Sequence, residues 1–110
     1  MDVFTAIAEP SRRLLLEQLV GGGRTAGELV DALPALSQPG VSKHLRVLRQ
    51  VGLVDVRVDA QRRVYTLRPE RLAEVDTWLE PYRKLWTWHL DALEAHLGNK
   101  AKGNKTPRKS

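Results

Sequence analysis

No cysteine occurs among the 110 residues, which excludes disulfides, thiolate metal sites and cysteine nucleophiles together and fits a reducing compartment. Long apolar runs are missing as well: none approaches the roughly 20 residues needed to cross a bilayer. The opening MDVFTAIAEPSRR carries an acid at position 2 and an apolar run broken by Thr5 and Glu9, unlike the basic start and long apolar core of a secretory leader. A cytoplasmic location with no membrane partner is therefore expected. Enzyme signatures are absent too. Gly21-Gly22-Gly23 lacks the Lys-Ser/Thr of a phosphate loop, there is no HExxH, and no carboxylate pair stands out. Ser42 and His44 are two apart on a predicted helix and point in different directions, with no third group to orient the histidine. Neither enzymatic activity nor a cofactor is expected.

What is present suffices for one compact core, since 42% of the residues are hydrophobic. The net charge of +5 is unevenly spread. Lys100, Lys102, Lys105, Arg108 and Lys109 put five positive charges and no acid into the last thirteen residues, so overall basicity is a tail effect. Residues 37–68 carry seven Lys or Arg against Asp55 and Asp59, a net of +5, while residues 1–36 and 69–97 are acidic at −2 and −3. The body up to Leu97 is thus neutral and polarised, and its basic segment points to a nucleic-acid partner. The domain is expected over residues 1–97, followed by a disordered basic tail at 98–110.

Val3, Phe4 and Ile7 have helical spacing, and Glu9-Pro10 restarts the chain. A second helix over Ser11 to Val20 has Leu15, Leu16, Leu19 and Val20 on its apolar face and ends at the three glycines. Thr25-Ala26-Gly27-Glu28 matches a capping box and opens a third helix with Leu29, Val30 and Leu33 buried, stopped by Pro34. Ser37 caps a fourth helix. At 100° per residue Val41, Leu45 and Leu48 share a narrow arc, and Ser42, Lys43, Arg46, Arg49 and Gln50 lie opposite. Past Gly52, Leu53 to Val58 and Arg63 to Leu67 are β-prone runs joined by Asp59-Ala60-Gln61-Arg62, a basic hairpin.

From Pro69 the chain turns helical again, with Leu72, Val75, Leu79, Tyr82, Trp86, Leu90, Leu93 and Leu97 at three- and four-residue steps. A helix of about 29 residues would extend roughly 43 Å, further than a domain of this size can cover. Part of the stripe needs another partner, and a second copy of the same helix is the simplest candidate. Pro81 is expected to kink or split this helix.

Three helices, a polar-faced helix, a hairpin and a terminal helix follow the order of a winged helix-turn-helix, mostly α with a small β wing. The chain resembles the ArsR family of bacterial transcriptional repressors in AIAEPSRRLLLEQL, GELVDAL, SQPGVSKHLRVLRQVGLV and RRVYTLRP, which together cover about residues 3–97. The resemblance implies that Ser37, Gln38, Ser42, Lys43, His44 and Arg46 approach DNA, with Arg49, Arg57, Arg62 and Arg63 as further contacts from helix and wing. It also implies dimerisation through terminal helices, with Val3, Phe4, Ile7, Leu79, Tyr82, Trp86, Leu90 and Leu93 expected at the seam. Metal-sensing members often carry cysteines before the turn, and TAGELVDAL has none. His89 and His96 lie seven apart, roughly on one face, without the family's Asp-x-His pair, so no metal is expected. WLEPYRKLWTWHLDALEAHL resembles the SdpR-like branch of autorepressors, which has no recognised metal site.

The expectation is a homodimeric repressor on a palindromic double-stranded operator, with no effector written in the chain. Two alternatives stay open: a metal- or ligand-responsive sensor using His89 and His96, and a winged-helix module that holds a protein partner.

Overall fold

The computed structural model describes residues 1–101. The chain divides into two units, residues 1–75 and the stretch from Asp76 onward, each packed within itself. In the first unit, α1 (Val3–Ile7) is capped by Asp2, whose carboxylate accepts the Thr5 N–H at 2.8 Å. Glu9 caps α2 (Pro10–Leu19) through Ser11, and Pro10 sits where its missing donor costs nothing. A two-residue strand, β1 (Arg24–Thr25), leads into α3 (Ala26–Ala32), and after a turn α4 (Gln38–Val51) follows. The strands β2 (Val54–Asp59) and β3 (Arg62–Leu67) and a 3₁₀ turn (Pro69–Leu72) lead to α5 (Ala73–Ala101).

Glycine is required where α4 ends. Gly52 takes φ +87°, a left-handed conformation that returns the chain sharply into β2 while its N–H bonds back to Leu48 and Arg49. The sheet is antiparallel in the order β1-β3-β2. The strand β1 is too short to show a period of two and was not expected from the sequence. It pairs Arg24 with Tyr65 and Thr25 with Val64, turning the hairpin into a three-stranded sheet.

Below the sheet, Val3, Ala6, Leu15, Leu16, Leu19, Leu29, Val41, Leu45, Leu48, Val51, Leu53 and Val54 form one buried cluster. The register expected for α4 is the one observed, with Val51 added to its buried side. Val20 departs from expectation: it caps the end of α2, one step past the last buried turn, and is 74% exposed. Leu72 and Val75 also pack on this cluster, and the first unit ends there. The boundary between the two units falls within α5.

From Asp76 on, α5 continues through Pro81 without splitting. Proline removes the donor to the Thr77 carbonyl, but Thr77 and Pro81 are both exposed, so water can replace it. Arg83 adds a side-chain clasp across two turns, donating to the Asp76 carboxylate at 2.7 Å and to its carbonyl at 2.9 Å. The helix passes Gly98 and reaches Ala101. The tail expected at 98–110 lies, beyond residue 101, outside the described residues. No helix among the described residues is long and apolar enough to cross a membrane.

Candidate nucleic-acid interface

The side chain of Ser37 accepts the Gly40 N–H at 3.0 Å and fixes the start of α4. Pro39 sits in the first turn, so the N-terminal end is rigid before any ligand arrives. Four buried anchors, Val41, Leu45, Leu48 and Val51, hold the helix on the core. Gln38, Ser42, Lys43, Arg46, Arg49 and Gln50 are all exposed on the remaining surface. Seen from the axis, an apolar stripe locks the helix while amide, hydroxyl and cationic groups face outward. These are donors suited to base edges and phosphates, and the helix dipole adds positive potential at the same end.

The wing continues the positive surface. Val58 stands opposite Arg63 and Asp59 opposite Arg62, so the two adjacent arginines leave the sheet on opposite faces. Arg57 shares the Arg62 face. Among the described residues Lys43, Arg46, Arg49, Arg57 and Arg63 form no ion pair, whereas Arg62 reaches Glu28 at 3.5 Å and Arg68 reaches Asp55 at 3.5 Å and Glu70 at 3.4 Å. Arg68 is therefore neutralised in place, and its N–H bonds to the Leu53 carbonyl at 2.8 Å. The basic surface is narrower than the charge count of residues 37–68 suggested.

Two expected site residues sit elsewhere. His44 lies between Leu48 and Val51 around the α4 circumference, is half-buried, and has its Nδ1 3.5 Å from the Arg12 guanidinium. It faces α2 and is set apart from the exposed polar face. Val3 is fully enclosed in the core, so it presents no surface for a second chain. Ile7 is half-buried on the same core, and Phe4 is exposed.

Arg12 and Arg13 carry a role that the periodicity did not show. Arg12 donates to the Ala6 carbonyl at 2.6 Å and the Thr5 carbonyl at 3.4 Å, and Arg13 donates to the Ile7 carbonyl at 2.7 Å. Together they satisfy the Ala6 and Ile7 carbonyls at the end of α1 and supplement the Ala8 N–H on Thr5, where a cation is also favoured by the helix dipole. Two arginines in the first turn after a helix break are the signal that could have found them.

In the second unit Leu79 is half-buried, while Tyr82, Trp86, Leu90, Leu93 and Leu97 are exposed. At 100° per residue these six fall within about 80° of helix circumference. Trp78 and Tyr82 pack ring against ring at 5.0 Å on the edge of this stripe. Leu90, Leu93, Glu94 and Leu97 line a shallow apolar depression of about 240 Å³. His89 meets Trp88 edge-on at 4.9 Å, and His96 is exposed. Among the described residues no three His, Cys, Asp or Glu side chains converge as metal ligands.

Residues 7–57 match a family described as a helix-turn-helix domain. The HTH-type transcriptional regulator Rv2034 of Mycobacterium tuberculosis is 43% identical over 84 residues, covering 76% of this chain and 75% of that protein. The transcriptional repressor SdpR of Bacillus subtilis is 33% identical over 78 residues, covering 71% of this chain and 86% of that protein. An ArsR-like transcriptional regulator from Rhodococcus sp. RHA1 superimposes with a TM-score of 0.65 at 27% identity, over 84% of this chain and 87% of that one. A core-anchored helix with a cationic outer face, followed by a basic hairpin, defines a winged helix-turn-helix protein that binds DNA and regulates transcription. The chain belongs to the ArsR family of such regulators.

Proposed function

We propose that the protein is a homodimeric repressor that places α4 of each copy in successive major grooves of a two-fold-symmetric operator. The observation that carries this is the outer face of α4: Gln38, Ser42, Lys43, Arg46 and Arg49 are exposed and held by four buried anchors, and the three cations lack an acidic partner among the described residues. Gln38, Ser42, Lys43 and Arg46 are assigned to the base edges and adjacent phosphates. Arg49, Arg57, Arg62 and Arg63 are assigned to the backbone, and the Ser37 hydroxyl, free to donate while its oxygen caps the helix, to a nearby phosphate. His44 takes a supporting position at the junction with α2. The second copy is assigned to the apolar stripe of α5, with Leu79, Tyr82, Trp86, Leu90 and Leu93 at the seam and Phe4 and Ile7 as further candidates. Repression follows from occupation of the promoter, and the relative named as a transcriptional repressor supports that direction.

The test is a titration against DNA selected by the purified protein from a random pool, at fixed salt. Lys43→Ala combined with Arg46→Ala is expected to weaken binding by at least tenfold, since each base-reading or phosphate contact contributes about 1–3 kcal/mol. The urea midpoint should stay unchanged, because both side chains are exposed. Unchanged affinity would refute the assignment of α4.

A further inference from the structure

Glu28, at the third position of α3, serves two groups with one oxygen. Its Oε1 accepts the Thr25 N–H at 2.8 Å, half of a capping box completed by the Glu28 N–H donating to the Thr25 hydroxyl at 3.1 Å. The same Oε1 stands 3.5 Å from Nη2 of Arg62. Strand register explains the meeting. Thr25 pairs with Val64, and Arg62 precedes Val64 by two, so both share one sheet face and the first turn of α3 lies beside the base of the wing. Lys43, Arg46, Arg49, Arg57 and Arg63 have no ion pair among the described residues, and Arg68, paired with Asp55 and Glu70, is not among the assigned contacts. Among the described residues, Arg62 is the one assigned DNA contact held by an acid. Both partners are half-exposed, so a phosphate can approach the pair and draw the guanidinium away from Glu28.

We propose that Glu28 competes with DNA phosphate for Arg62, so that the residue capping α3 also sets how strongly the wing holds DNA. The competition rests on the assignment of the wing to the DNA backbone. An exposed ion pair of this kind contributes little, so phosphate can displace it, yet every binding event must first release it. When Arg62 leaves, Glu28 keeps the Thr25 N–H, and α3 stays capped. Release therefore costs an ion pair and no helix turn. Glu28 thus lowers the affinity of the wing for any phosphate backbone, and the helix that reads bases carries a larger share of the discrimination.

Glu28→Gln separates the two roles, because glutamine also serves at the third position of a capping box. Against pool-selected DNA at fixed salt, Glu28→Gln is expected to bind about two- to fivefold more tightly per reading head, the range of an exposed ion pair. In an Arg62→Gln background the same change should give no gain. Asp31→Asn, which removes an exposed acid from the same helix, serves as the control for charge alone. In the free protein, the NMR resonance of the Arg62 Nε–H should shift on Glu28→Gln. An equal gain with and without Arg62 would overturn the competition, leaving Glu28 as an ordinary negative charge in the field. No gain at all, or an unmoved Arg62 resonance, would overturn it equally. If the wild-type protein selects no DNA, the DNA assignment itself fails and the competition falls with it.

Discussion

At the scale of single residues, conformation and charge state matter more than residue type. Ala60 is the first of two residues linking β2 to β3 and takes φ +58°, the only described non-glycine residue with positive φ. An L side chain there costs of the order of 1 kcal/mol. Ala60→Gly is expected to raise stability by up to about 1 kcal/mol in urea unfolding, and lower stability would show that the turn is not strained. The arginines illustrate charge state. Seven basic residues in 37–68 were visible in the sequence, but composition cannot tell that Arg68 is neutralised by Asp55 and Glu70 or that Arg62 is shared with Glu28. Such pairings depend on strand register, which is set by tertiary contacts. His44 shows the same limit: its place beside Arg12 depends on how α2 crosses α4.

At the scale of elements, local signals were strong wherever the chain satisfies its own backbone groups. The Thr25–Glu28 capping box, the Ser37 cap, the Gly52 stop and the anchor register of α4 were all legible, because each needs only neighbours within four residues. The strand β1 was not, since two residues carry no period, and its existence depends on β3 arriving beside it. Of the two outcomes expected at Pro81, a kink or a split, the split does not occur: the cost of a proline depends on whether water reaches the freed carbonyl. The caps also predict an acid limb. Thr25 N–H donation, ahead of the nearby arginines, holds the Glu28 carboxyl below its ordinary range, and Ser11 and Thr5 act likewise on Glu9 and Asp2. Carboxylates with depressed folded-state values stabilise above the unfolded-state value, and that contribution is lost as pH falls through the folded-state one. Stability should therefore decline below about pH 4, and Glu28→Gln should flatten part of the decline in denaturant titrations at pH 3–5. An identical slope in wild type and variant would remove Glu28 from the cause.

At the scale of the whole molecule, the excess is apolar. Tyr82, Trp86, Leu90, Leu93 and Leu97 are each 42–53% exposed along one side of α5, more contiguous apolar surface than a lone helix keeps in water. Trp86→Glu with Leu90→Glu is expected to shift the protein from dimer to monomer in sedimentation, while the first unit, which buries its own core, keeps its fold. A wild-type monomer at micromolar concentration would contradict the assignment of α5 to a second copy. The length of the helix was readable from the sequence, because its apolar positions recur at three- and four-residue steps.

Two heads at fixed spacing distinguish an operator-reading repressor from a basic protein that clings to any DNA. Selection of bound DNA from a random pool by the purified protein tests this directly. The expected product is an inverted repeat whose half-site centres lie about one helical turn, roughly 34 Å, apart. Enrichment of a single half-site, of repeats without fixed spacing, or of no sequence at all would contradict it.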